Sequence, residues 1–167
     1  MSSLALIQNH DLWRKGVGGA PAGISGESDA NAYAGLGLDG ITFTASTFSG
    51  SSFAATTFHR AQWSGCRFTG CSFSACDFDA IAISGCTFVN CVFAQTLFKQ
   101  GNFSGTQFSR CTWNGVNLDQ GHWHDVQVRD CTGPTAAARH LRGEEVDFTG
   151  SHFEALEFED TLLNSTA

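Results

Sequence analysis

Charged residues, proline and long apolar runs are all scarce in this chain of 167 residues. Charged side chains make up only 15% of it, far fewer than disordered chains or helical bundles carry. The apolar stretch at residues 4–7 is followed at once by polar residues, so it predicts neither a signal peptide nor a membrane span. These absences favour a folded cytoplasmic protein that does not associate with membranes.

Basic residues are few as well. Nine Lys and Arg face 16 Asp and Glu, and the net charge of −7 argues against a nucleic acid as partner. Residues 41–130 contain five acids and five bases, so the long middle of the chain is neutral. The acidic side chains gather near the C-terminus: Glu144, Glu145, Asp147, Glu154, Glu157, Glu159 and Asp160.

Familiar catalytic motifs are missing too. The chain has no G-x-S-x-G, no HExxH and no glycine-rich phosphate loop, so the sequence predicts neither an enzyme nor a cofactor. Its seven cysteines are odd in number and do not follow Cys-x-x-Cys spacing, which favours small buried packing residues over disulfides or zinc ligands. On that interpretation, a serine at Cys91 would destabilise the core by burying a hydroxyl.

What the chain does have is a repeat with a period of five. From Phe43 to Val128, and again from Phe148 to Leu163, nearly every fifth residue is large and apolar, and all 15 phenylalanines lie on this phase. All seven cysteines lie two positions before a residue of that phase. A regularity of this kind is the mark of a repeat architecture.

A period of five suits neither a straight helix nor a straight strand, so a corner must reset the phase in each unit. If each unit is a short strand followed by a corner, the large residue and the small one two positions earlier both point inward. Cysteine recurs at every fourth unit, at Cys71, Cys91, Cys111 and Cys131. That spacing predicts a coil of four sides, stacked in parallel.

Units such as "CSFSA", "GNFSG" and "VNLDQ" resemble the A-(D/N)-L-x-x unit of the pentapeptide-repeat family. The resemblance implies an all-β fold, a right-handed quadrilateral parallel β-helix, here of about five to six coils. It also implies a bacterial, non-enzymatic protein–protein interaction module or scaffold whose partner is another protein, with a secretion system as one setting.

Four segments follow from the pattern. Residues 1–30 are predicted to form a cap and irregular lead-in, with a short helix that covers the first coil through Leu4, Leu6, Ile7 and Trp13. Residues 31–132 form the repeat, and residues 133–146 a helical insertion, because Pro134 precedes an alanine-rich run. Residues 147–167 form a final coil, and an open coil end could pair two copies as a homodimer.

Two alternatives for the function stay open. The resemblance implies a DNA-mimicking inhibitor or protector of a topoisomerase (gyrase), although the neutral middle of the chain disfavours it. The second alternative is a divalent metal site. His122 and His124 flank an inward Trp123, so both imidazoles would project outward from the same short strand. With a third ligand, they could bind a divalent metal ion. The candidate surface residues for binding are His122, His124, Glu144 and Glu145.

Overall fold

The computed structural model describes residues 2–164. This range forms one short helix followed by a series of short strands. The helix is α1 (Ser3–Arg14). The strands are β1 (Gly23–Ser25), β2 (Ser28–Asp29), β3 (Ala32–Ala34), β4 (Thr42–Thr44), β5 (Thr47–Ser49), β6 (Ser52–Ala54), β7 (Gln62–Ser64), β8 (Arg67–Thr69), β9 (Ser72–Ser74), β10 (Ala82–Ser84), β11 (Thr87–Val89), β12 (Val92–Ala94), β13 (Asn102–Ser109), β14 (Thr112–Asn117), β15 (His122–Arg129), β16 (Thr132–Arg139), β17 (Arg142–Asp147), β18 (His152–Glu159) and β19 (Leu162–Leu163).

Each strand pairs in parallel with the strand one coil further along the chain. Most pairs keep the four-unit spacing predicted from the cysteines, as in Phe48↔Phe68 and Phe68↔Phe88. The ladder β1, β4, β7, β10, β13, β15, β17, β19 traces about seven turns, more than the five to six predicted from the sequence. The four-sided parallel β-helix itself is confirmed.

Four stacked faces surround the core, and each is named here by its central inward residues. Face A is centred on Ile24, Phe43, Trp63, Ile83, Phe103, Trp123, Gly143 and Leu163. Face B is centred on Asp29, Phe48, Phe68, Phe88, Phe108, Val128 and Phe148. Face C is centred on Tyr33, Phe53, Phe73, Phe93, Trp113, Gly133 and Phe153. Face D is centred on Leu38, Phe58, Phe78, Phe98, Leu118, Ala138 and Phe158.

A left-handed backbone residue turns nearly every corner. Every fifth residue from Gly35 to Asp160 has a positive φ, except Thr135 and Ala155. Many of these residues are not glycine, as at Ala75 with φ 52°. Since a single left-handed residue redirects the chain, its recurrence every five positions explains why the period matches neither a helix nor a strand.

The core consists of stacked aromatic rings. Along face B, the rings of Phe48, Phe68, Phe88 and Phe108 lie parallel, with centroids 4.7–4.8 Å apart. One coil spacing of about 4.8 Å lies within the range of about 4.5–7 Å that offset-stacked rings prefer, so phenylalanines in register can stack along the column.

The seven cysteines are free and buried, as the sequence predicted. The Cys91 thiol lies 3.4 Å from the Phe68 carbonyl oxygen and 3.5 Å from the Val89 carbonyl oxygen. At equivalent positions, the Thr106 and Ser151 hydroxyls donate to carbonyls of the preceding coil. A serine hydroxyl at position 91 would therefore have hydrogen-bond acceptors in place, so we no longer expect Cys91→Ser to lower the stability of the fold by a large amount.

The helical insertion predicted at residues 133–146 is wrong, because β16 and β17 continue the solenoid there. The pattern breaks since small and large residues exchange places: Gly143 takes the central position and the buried Leu141 the position two before it. At Gly133 an added Cβ would overlap the Trp113 carbonyl oxygen. The Trp113 ring instead approaches the Phe153 ring, with centroids 5.3 Å apart, from two coils away.

The solenoid also begins earlier than the predicted residue 31. Strands β1 and β2 lie within the segment predicted to be an irregular lead-in, and β2 pairs with β5 in a register one residue shorter than the regular coil, as in Asp29↔Phe48. The shorter register places Asp29 in the face B column, where the next coil has Phe48. This buried carboxylate accepts hydrogen bonds from Ser3, Tyr33, Ser51 and Asn31. Burial raises the pKa of Asp29, but these donors together lower it below its usual value.

Helix α1 covers the first coil. The Ser2 side chain accepts from the Ala5 amide at its start, and Ile7 is fully buried against the core. The buried His10 ties the helix to the solenoid, since its Nδ1 accepts from the Ala22 amide and its Nε2 contacts the Asp39 carbonyl oxygen at 2.8 Å. Trp13, also predicted to cover the coil, leaves 43% of its surface exposed.

Candidate interaction surface

The outward side chains of face A change abruptly near its C-terminal end. Two rows flank the central residues, one position before and one position after each. Over the earlier coils these rows hold small or neutral polar side chains: Thr42, Gln62, Ala82 and Asn102, and Thr44, Ser64, Ser84 and Ser104. The next two coils place His122 and Arg142 in the first row and His124 and Glu144 in the second.

These four ionisable side chains border one open depression of about 650 Å³. Strand pairing places His122 beside Arg142, and His124 beside Glu144. The central residues Phe103, Trp123 and Gly143 also line it. Glu145, the other predicted candidate, is the exposed left-handed corner that follows, with φ 56°.

Most of the polar groups around this depression are uncommitted. Within residues 2–164, the side chains of His122, His124 and Glu144 make no hydrogen bond or ion pair. Arg142 is partly engaged, because it donates to the Leu141 and Asp160 carbonyl oxygens and lies 3.4 Å from the Asp160 carboxylate. The depression therefore offers two imidazoles and one carboxylate to a binding partner.

The metal interpretation lacks its third ligand. In the part of the chain that the structure describes, no three His, Cys, Asp or Glu side chains converge as a metal site requires. Glu144 neighbours His124 in register but does not complete such a group. His122 and His124 therefore stand as surface groups.

Face D carries a row of alternating charge. One position after each central residue stand, in order, Asp39, His59, Asp79, Lys99, Asp119, Arg139 and Glu159. Acidic and basic side chains thus alternate at the coil spacing of about 4.8 Å. Two pairs of neighbours in the row are in contact, with His59 3.6 Å from Asp39 and Arg139 2.9 Å from Glu159. With four acidic and three basic side chains, this row offsets most of its own charge and presents no extended field of one sign.

The acidic end of the chain is partly neutralised. Asp147 pairs with Arg129 at 3.1 Å, and Asp160 pairs with His140 at 2.5 Å. The hydrogen bond from His140, followed by the charge of Arg142, lowers the pKa of Asp160. Among the described residues, Glu154 and Glu157 are exposed acids with no such partner.

The thiols are not placed for nucleophilic chemistry. Burial raises the pKa of the Cys76 thiol to about 11, so this side chain stays protonated near neutral pH. All seven thiols lie inside the coil, where a reactant cannot reach them.

Among the described residues, helix α1 is too short to cross a membrane.

A parallel solenoid with four faces, five-residue units and an aromatic core defines a repeat protein whose units stack along one axis. Two sequence models of pentapeptide repeats match the chain, "Pentapeptide repeat region" over residues 61–137 and "Pentapeptide repeats (8 copies)" over residues 38–74. The chain belongs to the pentapeptide-repeat family. No curated protein matches it.

The chain is similar to two solved structures. QnrB1, a plasmid-mediated fluoroquinolone resistance protein, aligns in a trypsin-treated form over 85% of this chain and 75% of its own, with 16% identity and a TM-score of 0.61. HetL, involved in heterocyst differentiation regulation in the cyanobacterium Nostoc sp., aligns over 87% of this chain and 90% of its own, with 13% identity and a TM-score of 0.48.

The structure brings together three of the four candidates predicted from the sequence. His122, His124 and Glu144 border one depression, whereas Glu145 lies at the corner beside it. Sequence reasoning missed Arg142, which faces the same depression. The 20-residue coil length could have found it, because Arg142 lies one coil after His122, as Glu144 lies one coil after His124.

Proposed function

We propose that the protein is a non-enzymatic interaction module that binds a partner protein through the face A depression. The observation that carries this proposal is the grouping of unpaired His122, His124 and Glu144 with Arg142 on a face that is otherwise uncharged. Polar groups without partners are the ones free to form hydrogen bonds across an interface. The β-helix beneath them supplies a stiff support.

The chemistry of the depression indicates what the partner presents. Imidazole and guanidinium groups on one side favour a carboxylate, and Glu144 on the other favours a basic side chain. A short peptide segment with one acidic and one basic residue would satisfy both. A bacterial cytoplasmic protein, including a component of a secretion system, is the partner that we expect.

The proposal is tested by affinity capture with matched variants. The purified protein is immobilised and incubated with extract of its host, and proteins captured by the wild type are compared with those captured by a His122→Ser/His124→Ser variant. A Gln62→Ala/Ser64→Ala variant changes the same two rows three coils earlier and is the control. We expect a protein retained by the wild type and the control but lost by the histidine variant, with the loss reproduced by purified components in calorimetry. Identical capture by all three would refute this site.

Mimicry of DNA is the competing function. QnrB1, a fluoroquinolone resistance protein, shares the fold at 16% identity. Imitation of a duplex requires acidic charge of one sign along the rod, whereas the face D row alternates in sign. We expect no protection or inhibition of gyrase in a DNA supercoiling assay; dose-dependent inhibition would favour mimicry over the module proposed here.

A further inference from the structure

The exposed large apolar side chains lie mainly at the two ends of the solenoid. Within residues 2–164 they are Leu12, Trp13, Val17, Val92, Leu156 and Leu162. The first three belong to the cap segment, and the last two belong to the final coil. Only Val92 lies on the middle of a face. Because clusters of exposed apolar side chains mark contact surfaces, the two ends of the solenoid are candidate binding surfaces.

The C-terminal end forms an apolar cup of about 370 Å³. Its lining includes Phe148, Phe153, Leu156, Phe158, Leu163 and the exposed His152. Leu156 stands at an inward position but is 47% exposed, since no described residue packs over it. The cup is large enough to receive an indole ring together with an aliphatic side chain.

Exposed side chains of opposite sign border the two apolar surfaces. Beside the cup, Glu154 and Glu157 are exposed and unpaired among the described residues. On the cap, Arg14 and Lys15 follow Trp13 directly, with 40% and 51% of their side chains exposed. Their own partners, Asp39 and Asp11, are largely buried, with 15% and 9% of their side chains exposed. The outer sides of Arg14 and Lys15 keep donors for a further carboxylate without loss of these pairs.

We propose that the protein associates with itself head to tail, with the cap of one copy seated in the C-terminal cup of the next. Trp13 and Leu12 enter the cup, and Arg14 and Lys15 face Glu154 and Glu157. A symmetric pairing of two C-terminal ends, the homodimer expected from the sequence, would instead bring the acids of one copy against those of the other. The local pairing of basic with acidic side chains therefore favours the heterologous arrangement. It extends as an open chain because the two surfaces lie at opposite ends of the rod.

This arrangement is independent of the proposed function, since the face A depression lies on a side of the rod. His122 and His124 of each copy stay accessible in the chain of copies. An assembled chain would present one copy of the depression per protein, so a partner with several binding segments would bind it with increased avidity.

The test is a thiol crosslinking experiment with two variants, Val17→Cys on the cap and His152→Cys at the rim of the cup. The native cysteines are buried, so the wild type is the blank. With a short bifunctional maleimide, each variant alone should remain uncrosslinked, and an equimolar mixture should give a covalent dimer. Efficient crosslinking of His152→Cys alone would overturn the proposal in favour of the symmetric dimer. The absence of crosslinking in the mixture at millimolar protein concentration would overturn self-association altogether.

Matched substitutions then test the contacts. Adding Trp13→Ser to the Val17→Cys variant should reduce crosslinking in the mixture to the level of the single variants, whereas adding Val92→Ser should leave it unchanged. Glu157→Lys should lower the yield several-fold, whereas Asp125→Lys, the same charge change at an exposed corner of another coil, should not. Equal yields within either pair would overturn the proposed contacts, and circular dichroism confirms that each variant is folded.

Discussion

The face B column predicts how the core responds when one ring is removed. Phe88 is fully buried, and its ring stacks on Phe68 at 4.7 Å and on Phe108 at 4.8 Å. Phe88→Ala should lower the free energy of unfolding by about 3–5 kcal/mol, the usual cost of emptying a core phenylalanine site. We expect the upper part of that range, because two stacked pairs worth about 0.5–1.5 kcal/mol each are lost together.

A second substitution separates volume from stacking. Phe88→Leu keeps most of the apolar volume and removes only the ring, so it should cost about 1 kcal/mol, in keeping with the aliphatic Val128 further along the same column. Val89→Ala, at the adjacent outward position, is the control and should change stability by less than about 0.5 kcal/mol.

Urea unfolding monitored by tryptophan fluorescence and by circular dichroism measures all three variants. The two probes should coincide, and the dependence of stability on urea should stay constant, if the solenoid unfolds as one unit. A Phe88→Ala variant no less stable than Val89→Ala would refute the stacked-column account. A reduced urea dependence for Phe88→Ala alone would mean that the solenoid separates at this coil.

Four further predictions follow from individual positions. Cys91→Ser should cost less than about 1 kcal/mol in urea unfolding, because two carbonyl oxygens already lie within reach of a hydroxyl. Ala75→Gly should raise the free energy of unfolding by up to about 1 kcal/mol and Gly65→Ala should lower it by about as much, since both residues have a positive φ; equal effects of the same sign would contradict the corner geometry. Gly133→Ala should destabilise by about 3 kcal/mol, because its Cβ would collide with a backbone carbonyl oxygen. Asp29→Asn should destabilise the cap at neutral pH, and the difference from the wild type should shrink as the pH falls below about 4, because a lowered carboxyl pKa stabilises the fold only while the group is ionised; a difference that does not vary with pH would contradict this.

The sequence predicted the repeat well because each unit carries two inward positions of different size. Phenylalanine and cysteine mark those positions so regularly that the period, the four sides and the burial of the thiols follow from the spacing. The prediction failed around Gly133 and Gly143, where small residues take the central position and, at Leu141, the large residue moves to the position two before the glycine. A pattern defined by the central position alone cannot show that a large residue two positions earlier fills the core volume that a central glycine leaves.

The candidate surface was predicted residue by residue but not as a site. Neighbours across coils are set by the register, and the pairing of His124 with Glu144 requires the coil length to be applied to outward residues as well as inward ones. The start of the solenoid was missed for a different reason. A register one residue shorter than the regular coil places Asp29, a polar residue, where the phase predicts an apolar one, and only the donors around it make that position tolerable.

The constant register gives the rod a discrete length scale. Since each coil contacts only the coils beside it and adds about 4.8 Å, removing or duplicating one whole coil in the middle should move the cap and the cup closer or further apart by one fixed step. The outward rows would keep their faces, because a whole coil restores the same orientation. The distance between the two ends can thus be changed in steps of one whole coil. The surface that each face presents can be changed independently, by substitution of its outward residues.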